Sequence, residues 1–215
     1  MLAYLDLYDY RKRVAAIYEE RLGSFLAGEQ TEMIWQRFRF RRDALFREHP
    51  QSALDEEQKR TFQKLLYFPY RSEFCVPARI ESDIEPVRLS MLKGTEEEMT
   101  MITVARLHFT LQKRSFALTL YWINVYGGGL FLPFRDATCP KESYGGGRYL
   151  FDTLKGSTFL PVPGSNPQQS LLLDFNYAYN PSCAYNPRWV CPLSPSENVL
   201  DIAIAAGEKK FDTSY

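Results

Sequence analysis

Histidine is nearly missing from this sequence: two residues in 215, His49 and His108. The four cysteines, Cys75, Cys139, Cys183 and Cys191, include no Cys-x-x-Cys pair, which argues against a simple zinc clamp. Net charge is lacking too. Twenty-six basic residues are balanced by twenty-six acidic ones, without the basic excess that drives phosphate binding, so no nucleic-acid partner is expected. No apolar run is long enough to span a bilayer. The N-terminus carries early acids (Asp6, Asp9) where a signal peptide would carry a basic region, so the cytoplasm is the expected compartment. In a reducing compartment the default for the cysteines is free thiols. Neither glycine-rich word fits the dinucleotide fingerprint or the P-loop.

What is present is a helical front and a β-rich remainder. Residues 4–22, 31–48 and 55–66 read as helices. Thr31 and Asp55 are expected N-caps, and His49-Pro50 ends the second helix, because the residue before proline is pushed from the helical region. The second helix carries Arg37, Arg39, Arg41, Arg42 and Arg47. These do not share one face, and a solvated, acid-paired surface is expected for most of them. From Tyr67 helical periodicity gives way to alternation. Strands are expected at Cys75–Glu81, Val87–Leu92, Met99–Leu111, Phe116–Val125, Leu130–Phe134, Arg148–Phe151, Ser170–Asn176 and Val199–Ala205. Lys93-Gly94-Thr95 and Gln112-Lys113-Arg114 read as hairpin turns. Phe116–Val125 is apolar on both faces, which predicts a central strand. The fold class is mainly β (α+β overall). It is an antiparallel β barrel or sandwich with N-terminal helices packed against it, a helical segment at 1–66 and a β domain at 67–215.

One stretch concentrates polar chemistry in this apolar body. Tyr126-Gly127-Gly128-Gly129 and Tyr144-Gly145-Gly146-Gly147 use six of the twelve glycines and bracket Arg135, Asp136, Thr138, Lys141 and Glu142. For the first triplet a tight turn and close approach to a ligand are both open. The second, flanked by Lys141 and Arg148, leans toward ligand approach. Two long Pro-bearing loops follow, residues 156–169 and 177–197.

The run from Tyr126 to Thr138, Tyr-Gly-Gly-Gly-Arg-Tyr-Leu at 144–150, Leu173-Asp174-Phe175-Asn176 and Trp189-Val190-Cys191-Pro192-Leu193 together resemble a bacterial family, domain of unknown function 1684. So do Ala178-Tyr179-Asn180-Pro181, Glu197-Asn198 and Ala206-Gly207-Glu208-Lys209. The resemblance runs from about Phe38 to Lys209 and implies no activity, cofactor or catalytic residue.

The function expected from the residues is binding of a small polar or anionic molecule. The pocket would be formed by the two Tyr-Gly-Gly-Gly loops and the late Cys/Pro loop. Arg135, Lys141 and Arg148 would grip the ligand, with Tyr126, Tyr144 and Trp189 as walls. Asp174 and Asn176 would contact it if their strand face lines the interior. An enzyme in the same pocket is an alternative, hydrolytic or redox on a bound flavin. Asp136, Lys141 and Tyr144 would then be acid–base groups, Lys141 lowering the Tyr144 phenol, or Cys183 would be a nucleophile. No cofactor is named by the residues. Cys183 and Cys191 have three readings: free thiols, a disulfide across the loop, or half of a metal site. A further alternative is a protein-interaction module that makes homo-oligomers through the N-terminal helices, for which exposed Tyr and Leu in residues 2–22 would be the mark.

Overall fold

The computed structural model describes residues 2–90 and 100–211. The chain begins with two long helices, α1 (Leu2–Leu26) and α2 (Thr31–Glu48), followed by the short α3 (Glu56–Thr61). α1 continues through Gly23-Ser24 to Leu26, four residues beyond the expected end, because residues 2–26 stay helical while the apolar side packs on α2. α2 starts at Thr31, but its N-cap is Gln30, with no side-chain cap. α3 is shorter than expected. Its Asp55 accepts from Gln58 N at 2.8 Å, and Gln58 returns the bond to Asp55 N at 2.9 Å, a closed capping box.

Seven strands form one antiparallel sheet: β1 (Cys75–Glu81), β2 (Arg88–Ser90), β3 (Thr100–Leu111), β4 (Arg114–Ile123), β5 (Gly129–Phe134), β6 (Arg148–Asp152) and β7 (Ser170–Asp174). The order is β6-β5-β4-β3-β1-β7, with β2 against β3, and the sheet curls into a half-barrel. β4 lies in mid-sheet, as its two apolar faces predict. Gln112 and Lys113 make the β3–β4 turn at φ 49° and 64°. The Lys93–Thr95 turn lies outside the described residues. Two prolines sit where the ladder does not need their missing N–H. Pro77 pairs only toward β7, because pairing of β1 with β3 begins at Ala78. Pro133 sits at a register shift between β5 and β6.

Two expected strands are corrected. Ser170–Asn176 ends at Asp174, which accepts from Asn176 N at 3.2 Å and turns Phe175–Tyr177 into a 3-10 turn. The alternation in Val199–Ala205 is real, since Leu200, Ile202 and Ile204 are buried, yet no ladder forms. The segment's backbone hydrogen bonds go to Arg135 and Ala137, just past β5, and the carbonyls of Ile204 and Ala206 are taken by Arg148. A side chain thus replaces a strand partner.

The main core lies on the concave face, where Leu107, Leu118, Leu132, Phe134 and Phe175 meet Leu200 and Ile204. A second core fixes the helices: Val14, Tyr18, Trp35, Phe38 and Leu45 against Tyr177. Each large aromatic buried here is worth about 3–5 kcal/mol against truncation to Ala. Polar struts set the orientation. Arg21 reaches Asp174 at 3.2 Å and stacks 3.6 Å above the Tyr177 ring, and Trp35 Nε1 donates to Asn176 O at 3.1 Å. Two of the α2 arginines pair with acids, though with Glu20 and Glu29 rather than the Asp43 and Glu48 expected on their own helix: Arg37 with Glu20 and Glu29, and Arg41 with Glu20. Arg42 differs: it is buried and donates to Glu208 at 2.7 Å.

Candidate functional site

The glycine-bracketed loop closes upon itself. Arg148, 1% exposed, donates to Asp136 Oδ2 and to the carbonyls of Ile204, Ala206 and Glu208. The other Asp136 oxygen accepts from Thr138 N at 2.8 Å and from the Thr138 hydroxyl. The expected ligand grip at Arg148 and Asp136 is therefore an internal strut between β6, the loop and the chain's last turns. Arg135 and Lys141 are exposed on the same loop. The expected lowering of the Tyr144 phenol does not occur: burial and the neighbouring Cys183 thiol push it up to about 12. The first glycine triplet is the β4–β5 turn, closed by Gly128 N to Val125 O at 2.9 Å, with Tyr126 standing fully in solvent. The second packs on the late loop instead. Gly147 has φ 94°, and a Cβ there would meet Phe134 O at 2.6 Å. Asp174 and Asn176 are used at the helix–sheet junction, Asn176 bridging Arg71 N and O at 3.0 and 2.9 Å. Among the expected site residues, the structure thus joins Asp136 with Arg148, Asp174 with Asn176, and Tyr144 with Cys183. It does not bring all of them to one pocket.

The cavity lies elsewhere, between α1, α2, the end of β6 and the segment 179–191. Its volume is about 140 Å³. Rings make much of the wall, with Tyr18, Phe46, Tyr149, Tyr179, Tyr185 and Trp189 among them. Of the expected residues only Trp189 lines it, held by Nε1 to Ala53 O at 3.0 Å. Gly156 makes the near wall feasible. At φ 91° its Cα lies against α1, where a Cβ would meet Arg11 O at 2.9 Å and Ala15 N at 3.0 Å. Only glycine lets the chain run that close, and it sets Lys155 and Ser157 at the cavity.

Beneath this wall the polar groups are tied. Glu208, 1% exposed, accepts from Arg42, from Tyr67 at 3.1 Å, from Asn180 N at 2.9 Å and from Tyr185. Ser157 Oγ bonds Tyr179 Oη at 2.8 Å. Two buried atoms on the wall are different. Tyr18 Oη and Asn180 Oδ1 have no well-formed hydrogen bond among the described residues, Tyr18 having only a weak contact with the Ser157 hydroxyl, and both residues are at most 3% exposed. Such atoms are rare and cost about 1–3 kcal/mol each when unpaired. Burial pushes the Tyr18 phenol up to about 12 and raises Tyr149, Tyr179 and Tyr185 as well, so these phenols stay protonated at neutral pH. Arg11, Arg42 and Lys155 border the cavity, and no carboxylate among the described residues does. Lys155 also lies 3.8 Å from Asp152.

Sequence reasoning missed this site because its residues come from four distant segments. The one signal available was Gly156, a glycine between two elements with no hairpin to make. No group of three or more His, Cys, Asp or Glu that could hold a metal occurs among the described residues, and no described helix is long and apolar enough to cross a membrane.

The curled antiparallel half-barrel with a helical cover defines the class. Residues 60–209, more than half of the chain, match the family model described as Protein of unknown function (DUF1684), and the chain belongs to that family. It is similar to an uncharacterised protein of Haloarcula marismortui solved by solution NMR. That protein shows 31% identity and a TM-score of 0.60, over 86% of this chain and 96% of the other. No curated protein matches.

Proposed function

We propose that the protein binds a small organic molecule with a carboxylate or similar oxygen-bearing end in the cavity between α1, α2 and the segment 179–191. One observation carries this reading. Tyr18 and Asn180 line one cavity, and their buried Oη and Oδ1 atoms, a donor and an acceptor, have no well-formed hydrogen bond among the described residues. A ligand that both accepts and donates would recover both desolvation costs. The aromatic wall suits an apolar body, and Arg11 and Lys155 on a rim without carboxylates favour negative charge. On this reading the helical segment, residues 1–66, completes a β domain, residues 67–215, because the cavity draws walls from both.

The test is a thermal-shift and ligand-observed NMR screen of small aliphatic and aromatic carboxylates beside their neutral amides. Wild type is expected to be stabilised by carboxylates above amides. Tyr18→Phe and Lys155→Gln should each weaken binding roughly five- to ten-fold, the size of one net hydrogen bond. No shift with any compound, or equal binding by both variants, sinks the reading.

A second reading, self-association through α1, has its own observation: Tyr4, Leu5 and Tyr8 are 79%, 60% and 66% exposed. Light scattering on the wild type and on a Tyr4→Ser, Tyr8→Ser double variant decides it. A monomeric wild type ends it.

A further inference from the structure

Two of the four thiols lie together, and the polar site above does not use both. Cys183 sits in the 3-10 turn Ser182–Ala184 and Cys191 eight residues on, along the cavity wall. Cys183 N–H donates to Cys191 Sγ at 3.3 Å, which sets the two cysteines side by side. Tyr144 Oη lies 3.5 Å from Cys183 Sγ. Both cysteines are half-buried rather than sealed in the core. The loop that carries them is anchored at both ends. Asn186 Nδ2 donates to Asp55 at 2.9 Å, and Pro192 O accepts from the Tyr149 phenol. The thiols are therefore held together by structure rather than by chance encounter.

The other two cysteines are built differently. Cys75 lies beside Asp174, and burial pushes its thiol up to about 12. The Cys139 thiol donates to Tyr144 O at 3.2 Å and has no second cysteine beside it. At Cys183 the environment runs the other way. The Cys191 thiol, and then the Tyr144 hydroxyl, donate to its sulfur and bring it down to about 6, while Cys191, as the donor, is raised.

We propose that Cys183 and Cys191 are a thiol–disulfide exchange pair acting on low-molecular-weight disulfides, with Cys183 the attacking thiol and Cys191 the resolving one. In the first step the Cys183 thiolate attacks one sulfur of a disulfide RSSR. The Cys183–SR bond forms, the S–S bond of the reagent breaks, and RS⁻ leaves. In the second step Cys191 gives its proton to the departing thiolate or to water. Its sulfur attacks Cys183 Sγ, closing the Cys183–Cys191 disulfide and expelling the second RS⁻. From the Cys183 thiolate and Cys191 thiol the protein loses two electrons and one proton; one RS⁻ takes that proton and the other is protonated by water, so one RSSR becomes two RSH. A hydrogen bond from Tyr144 steadies the Cys183 thiolate before attack, which makes Tyr144 a positioning residue. The low thiol value matters most below neutrality. Against a free cysteine, the gain in thiolate fraction is offset by weaker nucleophilicity. The net advantage is about two-fold at pH 7 and about ten-fold at pH 6.

The experiment uses the full chain, reduced and then exposed to oxidised glutathione, with intact-mass and peptide-mass readout. Wild type is expected to form the Cys183–Cys191 disulfide with glutathione found only transiently. Cys191→Ser should stop at a stable glutathione adduct on Cys183. Cys183→Ser should leave Cys191 unmodified over the same time. The rate should hold up toward pH 6 with a midpoint near the Cys183 value, and Tyr144→Phe should move that midpoint upward. Equal labelling of Cys75 or Cys139, an absent Cys183 adduct in Cys191→Ser, or a pH profile parallel to free cysteine overturns the proposal.

Discussion

The loop between the two glycine triplets and the cavity beneath the helices have opposite polar economies. In the loop the buried charge is fully partnered: Arg148 meets four acceptors and Asp136 three donors. In the cavity, charge is sparse and two buried atoms, Tyr18 Oη and Asn180 Oδ1, have no well-formed hydrogen bond among the described residues. The difference teaches that polar density marks a place where the chain holds itself together as readily as a place where it holds something else. Open hydrogen-bonding capacity separates the two.

The sharpest way to break this comparison is Arg148→Met. It leaves Asp136 buried and uncompensated, so denaturant unfolding should show a loss of about 3–5 kcal/mol. A loss below about 1 kcal/mol would mean that the loop is not an internal strut. Next comes Gly156→Ala, where a Cβ and φ 91° collide with the α1 backbone. A cost of about 1–3 kcal/mol is expected, together with weakened binding of any carboxylate found for the cavity. The same screen on Gly164→Ala, which has positive φ but open space, separates strain from collision. Tyr18→Phe should go the other way in the unliganded protein. Removing an unpaired hydroxyl leaves stability unchanged or raised by up to about 1 kcal/mol, and a clear loss would show that the hydroxyl has a partner. The smallest effect is in pH. Burial raises Asp152 above its ordinary value of 3.8. The folded chain therefore holds that proton more tightly than the unfolded chain does. Its contribution is most favourable below the ordinary carboxylate range and falls as pH rises through the raised value. Asp152→Asn should flatten that fall in stability measured from pH 3 to 7.

The sheet was legible where period-two alternation and ladder pairing coincide. β3, β4 and β5 fall within a few residues of their expected bounds, and the Asp55 cap was visible as a residue type before a run of acids. Alternation misled at Val199–Ala205 because burial needs only a core on one side, whereas a strand also needs a backbone partner, and Arg148 took the carbonyls. The polar loop was legible as a cluster but not in its role, since Arg148's acceptors lie 56 to 60 residues further along the chain. Arg42 looked like one more surface arginine for the same reason. Nothing local in the α2 sequence announces Glu208. The cavity's unpaired atoms cannot be read from residue type at all, because Tyr18 and Asn180 have ordinary partners in most surroundings.

Glu208 also gives the cavity a time of assembly. Arg42 and its carboxylate partner are 166 residues apart. At roughly 5–20 residues per second, a ribosome adds that length in about 10–30 s. Throughout that interval the helices exist without the acid that ties Arg42, Tyr67, Asn180 and Tyr185 into one floor. The buried Arg42 must wait, without its carboxylate, for nearly the whole protein to be made. A nascent chain stalled before residue 208 would therefore present a helical hairpin with an unfinished underside, which is the kind of surface that chaperones hold.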